Sequence, residues 1–213
     1  MRVLTRLLTA DLSGIMEGAL VLRSGGLVAY PTDTVYGVGC DPFNEQAVVR
    51  LVSAKERSFG ELPVLVHNIE RAREIGNLDR TSLLLAQRFW PGPLTLVVPA
   101  RVLLPPQLAG TSSTVGLRIP NCTETLELVK RCGGAIVGTS ANITGHSPPQ
   151  SAEDVWRDLE GRIDIVLDGG PTTLRIESTV VRVDNSEVTV LREKAVSKKE
   201  ISDALVAGPV LVR

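Results

Sequence analysis

Residues 25–41, GGLVAYPTDTVYGVGCD, decide how the rest of the chain is read. A Gly pair leads into Leu27, Val28, Ala29 and Tyr30, an apolar run that Pro31 stops. Proline fixes its own φ and biases the preceding residue toward extended backbone, so a strand ends there. Between Pro31 and Gly37, the side chains of Thr32, Asp33, Thr34 and Tyr36 crowd four hydrogen-bonding groups into one short loop. Gly37 and Gly39 let the backbone turn tightly or come close to another group. Open α/β sheets place ligands in such loops, beyond the carboxyl ends of strands. Thr-Asp-Thr also makes an ordinary Asx or Ser/Thr turn, and the segment alone fits both readings. It is not a standard phosphate loop: GxxxxGK[ST] is absent, and Gly37-Val38-Gly39 does not continue as GxGxxG.

Outward from this stretch, strands and helices interleave. Residues 12–24 place Leu12, Ile15, Met16, Ala19 and Leu20 at helical spacing, with Gly25 and Gly26 as the stop. Asn44 suits the N-cap of a helix reaching Lys55, with Ala47, Val48, Leu51 and Val52 as its buried stripe. A strand over 63–66 and helices over 70–76 and 81–89 follow. The rigid turn Trp90-Pro91-Gly92-Pro93 then feeds an apolar strand over 94–98. A strand over 115–119, a helix over 123–131 with Leu126 and Val129 on its apolar side, and a strand over 135–138 come next. Capping boxes at Ser151 to Asp154 and at Ser197 to Glu200 open two more helices, the second with Ile201, Ala204 and Leu205 inward. Strands are expected over 163–167, 179–183 and 188–191. The last two follow one another directly, which predicts an α/β domain over residues 1–213 with a mixed, partly antiparallel sheet.

The chain has 213 residues, suited to one large domain with a substantial core. Hydrophobic residues make up 43% but aromatics only 3%, so that core is built from Leu, Val, Ile and Ala. A net charge of −1 argues against a protein whose main task is gripping nucleic acid, and leaves a local basic cleft possible. Cys40, Cys122 and Cys132 form no CxxC, so neither a disulfide framework nor a zinc site is indicated. His67 and His146 are the only histidines, which excludes HExxH and any His-rich metal centre. Without a signal-peptide run before Asp11 or an apolar stretch of membrane-spanning length, a cytoplasmic location is expected.

Several constellations carry chemistry. Lys55 and Arg57 follow the helix that Asn44 caps; on an extended chain they would point to the same side and suit a triphosphate. They would equally suit an ordinary helix C-terminus. Gly138-Thr139-Ser140-Ala141-Asn142 offers two hydroxyls and an amide after a buried strand. It departs from GxSxG at Asn142, and a cap or turn is its plain alternative. Arg118 lies inside an apolar strand, so an acidic side chain or a ligand carboxylate should meet it. Ser178 and Thr179 open a strand after Glu177, and Arg192 ends the last strand where its side chain could return to the site.

Taken together, PTDTVYG, Lys55-x-Arg57, WPGPLT, VGLRIP, TSAN and STVV, in this order, resemble the YrdC-like family of L-threonylcarbamoyladenylate synthases. The resemblance runs from about Leu12 to Arg192, and the length is similar to the short, single-domain form. It implies the YrdC-like α/β fold, a twisted mixed sheet with flanking helices and a central cleft. It also implies a nucleotidyltransferase reaction in which ATP, L-threonine and bicarbonate give threonylcarbamoyl-AMP, pyrophosphate and water. A separate transferase then passes the threonylcarbamoyl group to tRNA. By this resemblance Lys55, Arg57, Ser140 and Asn142 form the catalytic group, and Arg57, Thr114, Thr139, Ser140, Asn142 and Arg192 hold the nucleotide with Mg²⁺. Thr34, His67, Arg118 and Ser178 would hold threonine, with Arg118 on its carboxylate. One departure stands out. The family commonly has Pro after the Arg of Lys-x-Arg and Pro-Leu a few residues on, where this chain has Ser58-Phe59-Gly60-Glu61-Leu62-Pro63 followed by Val64. That departure bears on loop shape and nucleotide affinity.

Three alternatives remain at this level. A noncatalytic RNA-binding module of the same fold would use the same basic cleft, although seven aromatic residues give little to stack bases on. A paralogue could keep the fold without the activity. A Ser hydrolase would need His67 or His146 beside Ser140.

Overall fold

The computed structural model of the chain describes residues 3–57, 62–109 and 113–207. The N-terminal part runs β1 (Arg6–Thr9), α1 (Leu12–Arg23), β2 (Val28–Tyr30), β3 (Gly37–Gly39), α2 (Glu45–Ala54), β4 (Val64–Val66) and α3 (Ile69–Ile75). It continues with α4 (Arg80–Phe89), β5 (Leu94–Pro99), α5 (Pro106–Ala109), β6 (Thr114–Arg118), α6 (Thr123–Arg131), β7 (Ala135–Val137) and β8 (Thr139–Ser140). The rest is α7 (Ala152–Leu159), β9 (Ile165–Asp168), β10 (Thr179–Asp184), β11 (Glu187–Arg192) and α8 (Lys198–Ala207).

The mixed α/β class holds, but the strands divide between two sheets. One has the order β1-β9-β2-β3-β8 and the other β11-β10-β5-β6-β4-β7. Both combine parallel and antiparallel pairs; β5, for example, pairs in parallel with β10 and antiparallel with β6.

Strand pleating sorts the side chains, since successive residues point to opposite faces. In β2, Val28 and Tyr30 join a core shared with α1 and α6, while Ala29 joins one shared with α2 and α7. The five-stranded sheet is therefore covered on both sides. In the six-stranded sheet, Val64, Val66, Leu94, Leu96, Val98, Val115, Leu117 and Val181 pack with α3, α4 and α8 in a single core. The alternate residues Leu65, Thr95, Val97, Gly116, Arg118 and Val180 face the other way and line a cavity.

Helix caps are set locally. Asp11, Asn44, Asn68, Asp79 and Ser151 each accept a bond from a backbone N–H in the first turn of the helix they precede. Ser197 and Glu200 form the expected reciprocal capping box, Glu200 Oε2 accepting from Ser197 N at 2.9 Å and Ser197 Oγ from Glu200 N at 3.2 Å.

Two expectations are corrected. On α1 the buried face is Gly14, Ile15, Gly18, Ala19 and Leu22, whereas Leu12, Met16 and Leu20 are exposed. Glycine helps set this face: a Cβ on Gly14 would collide with the Thr9 carbonyl, and one on Gly18 would sit tightly against Leu167, so the helix turns these positions inward. Gly37 and Gly39 are strand residues paired with Tyr30 and Val28 rather than turn residues. Their small size permits close approach, because a Cβ on Gly37 would meet the Tyr30 ring and one on Gly39 the Val137 carbonyl. At this contact the two sheets are also tied together: Tyr30 Oη donates to Val137 O at 2.8 Å and Val137 N to Cys40 O at 2.9 Å.

Candidate active site

The loop from Pro31 to Tyr36 that joins β2 to β3 is both a Ser/Thr turn and a cavity wall. Thr32 Oγ1 donates to Val35 O at 2.6 Å and accepts from Thr34 N at 3.1 Å. Thr125 Oγ1, from α6, donates to Pro31 O and anchors the loop's start. Thr32, Thr34, Val35 and Tyr36 then line a cavity of about 230 Å³ whose floor is the free face of the six-stranded sheet.

Arg118 is the buried cation of this floor. Its Nη2 reaches Asp33 Oδ1 at 2.5 Å, its Nη1 donates to Thr34 Oγ1 at 2.9 Å, and its Nε donates to Gly92 O at 2.9 Å. The acid that the sequence required is thus Asp33, inside the polar loop, and Asp33 Oδ1 also accepts from Asn121 N at 3.1 Å. Burial pulls the guanidinium pKa down, while Asp33 opposes that pull.

Two more guanidiniums line the cavity, those of Arg57 and Arg192. Arg192, at the end of β11, donates from Nε and Nη2 to Ser178 O at 3.2 and 3.0 Å, and its Nη1 pairs with Glu177 at 2.8 Å. The Arg57 guanidinium makes no ion pair among the described residues. Burial lowers its pKa first and the nearby Arg192 charge second, so the two cations share one neighbourhood. Beside them, Ser178 Oγ and Thr95 Oγ1 form a hydroxyl pair 2.9 Å apart.

Lys55 goes elsewhere. It is the C-cap of α2 in helical geometry, and Glu56 takes a positive φ of 51°. The extended path that would have put Lys55 and Arg57 on one side is therefore absent. Lys55 is 2% exposed, and its Nζ donates to the carbonyls of Ser140 and Asn142, the latter at 2.8 Å. Thr144 N returns a bond to Lys55 O at 2.9 Å. The far side of this segment is held by α7: Asp158 Oδ2 accepts from Ile143 N at 3.1 Å and lies 3.0 Å from His146 Nδ1. Asn142 Nδ2 closes the turn on Ile143 O and His146 O. Lys55 and Asp158 thus fix the segment that carries Thr139 and Ser140 into the cavity.

Burial, then the Arg57 charge, lowers the Lys55 pKa from 10.5 to about 7. The folded protein therefore holds fewer protons here than the unfolded chain between those values. The Lys55 contribution to stability should rise with pH from about 7 to 10.5, and be lost again as pH falls through that window. The melting temperature of the wild type minus that of Lys55→Met, measured against pH, should rise across this window; a flat difference would remove Lys55 as its cause.

Comparison with known proteins places this geometry. The family profile Sua5_yciO_yrdC, described as telomere recombination, matches residues 20–194. The chain belongs to the Sua5/YciO/YrdC family. Among its relatives, the threonylcarbamoyl-AMP synthase of Bacillus subtilis is 37% identical over 202 residues, covering 93% of this chain and 58% of that protein. The threonylcarbamoyl-AMP synthase of Thiobacillus denitrificans is 38% identical over 169 residues, covering 78% and 89%. The crystal structure of Pyrococcus abyssi Sua5 complexed with L-threonine superposes with a TM-score of 0.88 at 33% identity, covering 96% of this chain and 61% of that one. The chain spans only about three fifths of the length of the Bacillus and Pyrococcus proteins.

Of the residues assigned by resemblance to this Sua5/YciO/YrdC family, the cavity gathers Thr34, Arg57, Arg118, Thr139, Ser140, Ser178 and Arg192. Four lie outside its lining. Lys55 is turned into the Ser140 to Asn142 backbone, and Asn142 is buried in its own turn with Oδ1 unpartnered among the described residues. His67 follows β4 and sits 3.3 Å from Gly134 O. Thr114 opens β6 opposite Pro99, at the other end of the strand from Arg118. Both histidines are thus engaged away from Ser140, which removes the geometric basis for a Ser hydrolase. Residues 58–61 of the unusual loop after Arg57 lie outside the described residues, while Pro63 lines the cavity. Thr95 and Glu177 line it as well and were not assigned from the sequence. The period-two alternation of β5 was the available signal for Thr95, since it separates Thr95 and Val97 from Leu94, Leu96 and Val98.

Proposed function

We propose that this protein is a threonylcarbamoyl-AMP synthase, condensing ATP, L-threonine and bicarbonate into threonylcarbamoyl-AMP, pyrophosphate and water. One observation carries the reading: a single cavity combines a buried arginine, paired with Asp33 and bonded to the Thr34 hydroxyl, with a second pair of arginines whose charges repel. The first arrangement suits an amino-acid carboxylate and hydroxyl, and the second suits a polyphosphate. The L-threonine bound by the Pyrococcus protein and the names of the relatives support the same assignment.

The chemistry needs no protein nucleophile. The threonine amine and bicarbonate form a carbamate with loss of water. A carbamate oxygen then attacks the α-phosphorus, and the bond to the pyrophosphate leaving group breaks. The chain's part is to position and to neutralise charge. Arg118 orients threonine, Arg57 and Arg192 balance the leaving pyrophosphate, and Ser140 and Thr139 contact the nucleotide from a loop stiffened by Lys55. Mg²⁺ fits as the partner of ATP. Among the described residues no three His, Cys, Asp or Glu side chains gather for a metal, and Glu177 of the cavity is held by Arg192. When bound with ATP the ion would take most of its ligands from phosphate oxygens and water and would lower the charge that the arginines must meet. A cytoplasmic enzyme handing its product to a separate transferase for tRNA completes the reading. No helix among the described residues is long and apolar enough to cross a membrane.

Purified protein should release pyrophosphate and form an AMP-linked threonylcarbamoyl product only when ATP, Mg²⁺, threonine and bicarbonate are all present. Mass spectrometry that finds no such product, together with tight RNA binding, would favour the RNA module instead.

A further inference from the structure

Arg57 enters the cavity, whereas Lys55, two residues earlier, turns beneath the Ser140 to Asn142 backbone. Between them stands Glu56, whose φ of 51° lies in the left-handed region. A residue with a Cβ adopts that region at a steric cost, and the conformation persists where its surroundings over-determine it. Backbone bonds close the turn from inside, Glu56 N donating to Ser53 O and Arg57 N to Val52 O, both at 3.1 Å. From outside, Arg162 holds it. Its Nη2 pairs with Glu56 Oε1 at 2.7 Å, and its Nη1 makes a longer contact to Ala54 O at 3.4 Å. One guanidinium thus grips the chain on both sides of Lys55.

Arg162 is itself fixed. It lies just beyond α7, in a turn closed by Arg162 N donating to Leu159 O at 3.0 Å, with Gly161 at a φ of 75°. The buried Thr5 brackets it: Thr5 Oγ1 accepts from Gly161 N at 2.9 Å and donates to Ile163 O at 2.6 Å. α7 sinks Ala152, Val155 and Leu159 into the core it shares with α2, so the turn is anchored to a packed helix.

The same end of α7 reaches the segment that carries Ser140. Asp158, four residues before Arg162, accepts from Ile143 N at 3.1 Å and lies 3.0 Å from His146 Nδ1. Opposite charges four residues apart on a helix commonly pair with each other. Here each engages a different segment. Thr144 N to Lys55 O at 2.9 Å and Lys55 Nζ to Asn142 O at 2.8 Å then join the two segments. The result is a bracket with two arms, Arg162 on the turn that aims Arg57 and Asp158 on the turn that follows Ser140. Neither arm lines the cavity.

We infer that Asp158 and Arg162 are positioning residues for the nucleotide: the C-terminal end of α7 sets how the Arg57 and Ser140 segments stand to one another, and so the affinity for ATP, without touching ATP. This rests on the synthase reading of the cavity, in which those two segments take the nucleotide. Arg118 is held by other elements, through Asp33, Thr34 and Gly92, so the effect is confined to the nucleotide side.

The test uses Arg162→Ala, Asp158→Ala, and each of them combined with Glu56→Gly. Pyrophosphate release gives kcat and the KM for ATP, and calorimetry gives the binding of ATP with Mg²⁺ and of threonine separately. Arg162→Ala and Asp158→Ala should each weaken ATP binding by about tenfold, because a small misplacement set up away from the reacting atoms is felt at the site. Threonine binding should stay within about twofold of wild type, as expected of a site that shares no partners with the change. Glycine takes positive φ without steric cost, so Glu56→Gly frees the turn from its need for Arg162. It should recover most of the ATP affinity lost in Arg162→Ala and none of that lost in Asp158→Ala. A general loss of stability would not be rescued in this way, since Glu56→Gly adds no contact. Arg162→Lys keeps the charge without the fork; it should show a smaller loss in the same direction, and it decides the matter if Arg162→Ala does not fold. Wild-type ATP affinity in either alanine variant, an equal loss toward threonine, or no recovery with Glu56→Gly would overturn the inference. Wild type that binds no ATP would instead reject the synthase reading itself, and this inference with it.

Discussion

Asp33→Ala is expected to lower the unfolding free energy by about 3–5 kcal/mol, the largest stability effect at any single site residue. The reason is the charge left behind. Asp33 and Arg118 are each 7% exposed at the side chain, and the pair is joined at 2.5 Å. Taking the carboxylate away leaves a guanidinium in the interior with only neutral acceptors, Thr34 and Gly92. It also removes the acceptor for Asn121 N. Asp33→Asn keeps the shape and one acceptor oxygen, so its loss should be smaller. Arg118→Lys should also destabilise, because one ammonium cannot reproduce three differently directed N–H bonds. Urea denaturation midpoints for the three variants would show this order. If Asp33→Ala melts with the wild type, the pair does not hold the loop.

Arg57→Ala should behave in the opposite manner, with a large effect on turnover and almost none on stability. Its guanidinium is partly buried, has no ion-pair partner among the described residues, and lies close enough to Arg192 for the two to depress its pKa. A charge held against repulsion is one that folding would be better without. On the proposed synthase reading, developing charge on a leaving pyrophosphate is where such a cation contributes. Removing it should therefore cost about 10²–10³ in kcat/KM for ATP, the range seen when one preorganised charge stabiliser is deleted. The KM for threonine should change little, because Arg118 stays in place. Thermal melting of the variant should match or slightly exceed that of the wild type. Wild-type turnover in Arg57→Ala would remove Arg57 from the reaction.

These two arginines also mark how far the sequence could be read. Arg118 could be assigned a need, since a cation between Leu117 and Ile119 in a strand must meet a negative group. Its partner Asp33 could not be assigned, because 85 residues separate the two and only the packing of the β2–β3 loop over β6 brings them together. The elements with local signals were legible: α2 and α7 by their caps, α6 to both of its ends, and β5 by its apolar run after the Trp90 to Pro93 turn. Four elements were missed. β1, β3 and β8 are two to four residues long and owe their pairing to β9, β2 and β3, and α5 is a single turn. Lys55 was misread because its direction depends on the helical C-cap and on the positive φ of Glu56, neither of which has a composition cue. The split into two sheets follows from long-range pairing and could not be seen in any window of sequence.

The sorting of alternate residues on the six-stranded sheet has a consequence for how such a site can change over generations. Along β5, Leu94, Leu96 and Val98 belong to the interior, and Thr95 and Val97 to the cavity. A point substitution at Thr95 stays within the cavity set and leaves the interior set whole. A one-residue insertion or deletion in β5 does not, because it inverts every side chain beyond it. Leucines would then project into the cavity while a threonine hydroxyl entered the apolar layer. The lining of the cavity is thus open to gradual change by replacement and closed to change by length, and the strands should keep a constant residue count even where the lining has diverged.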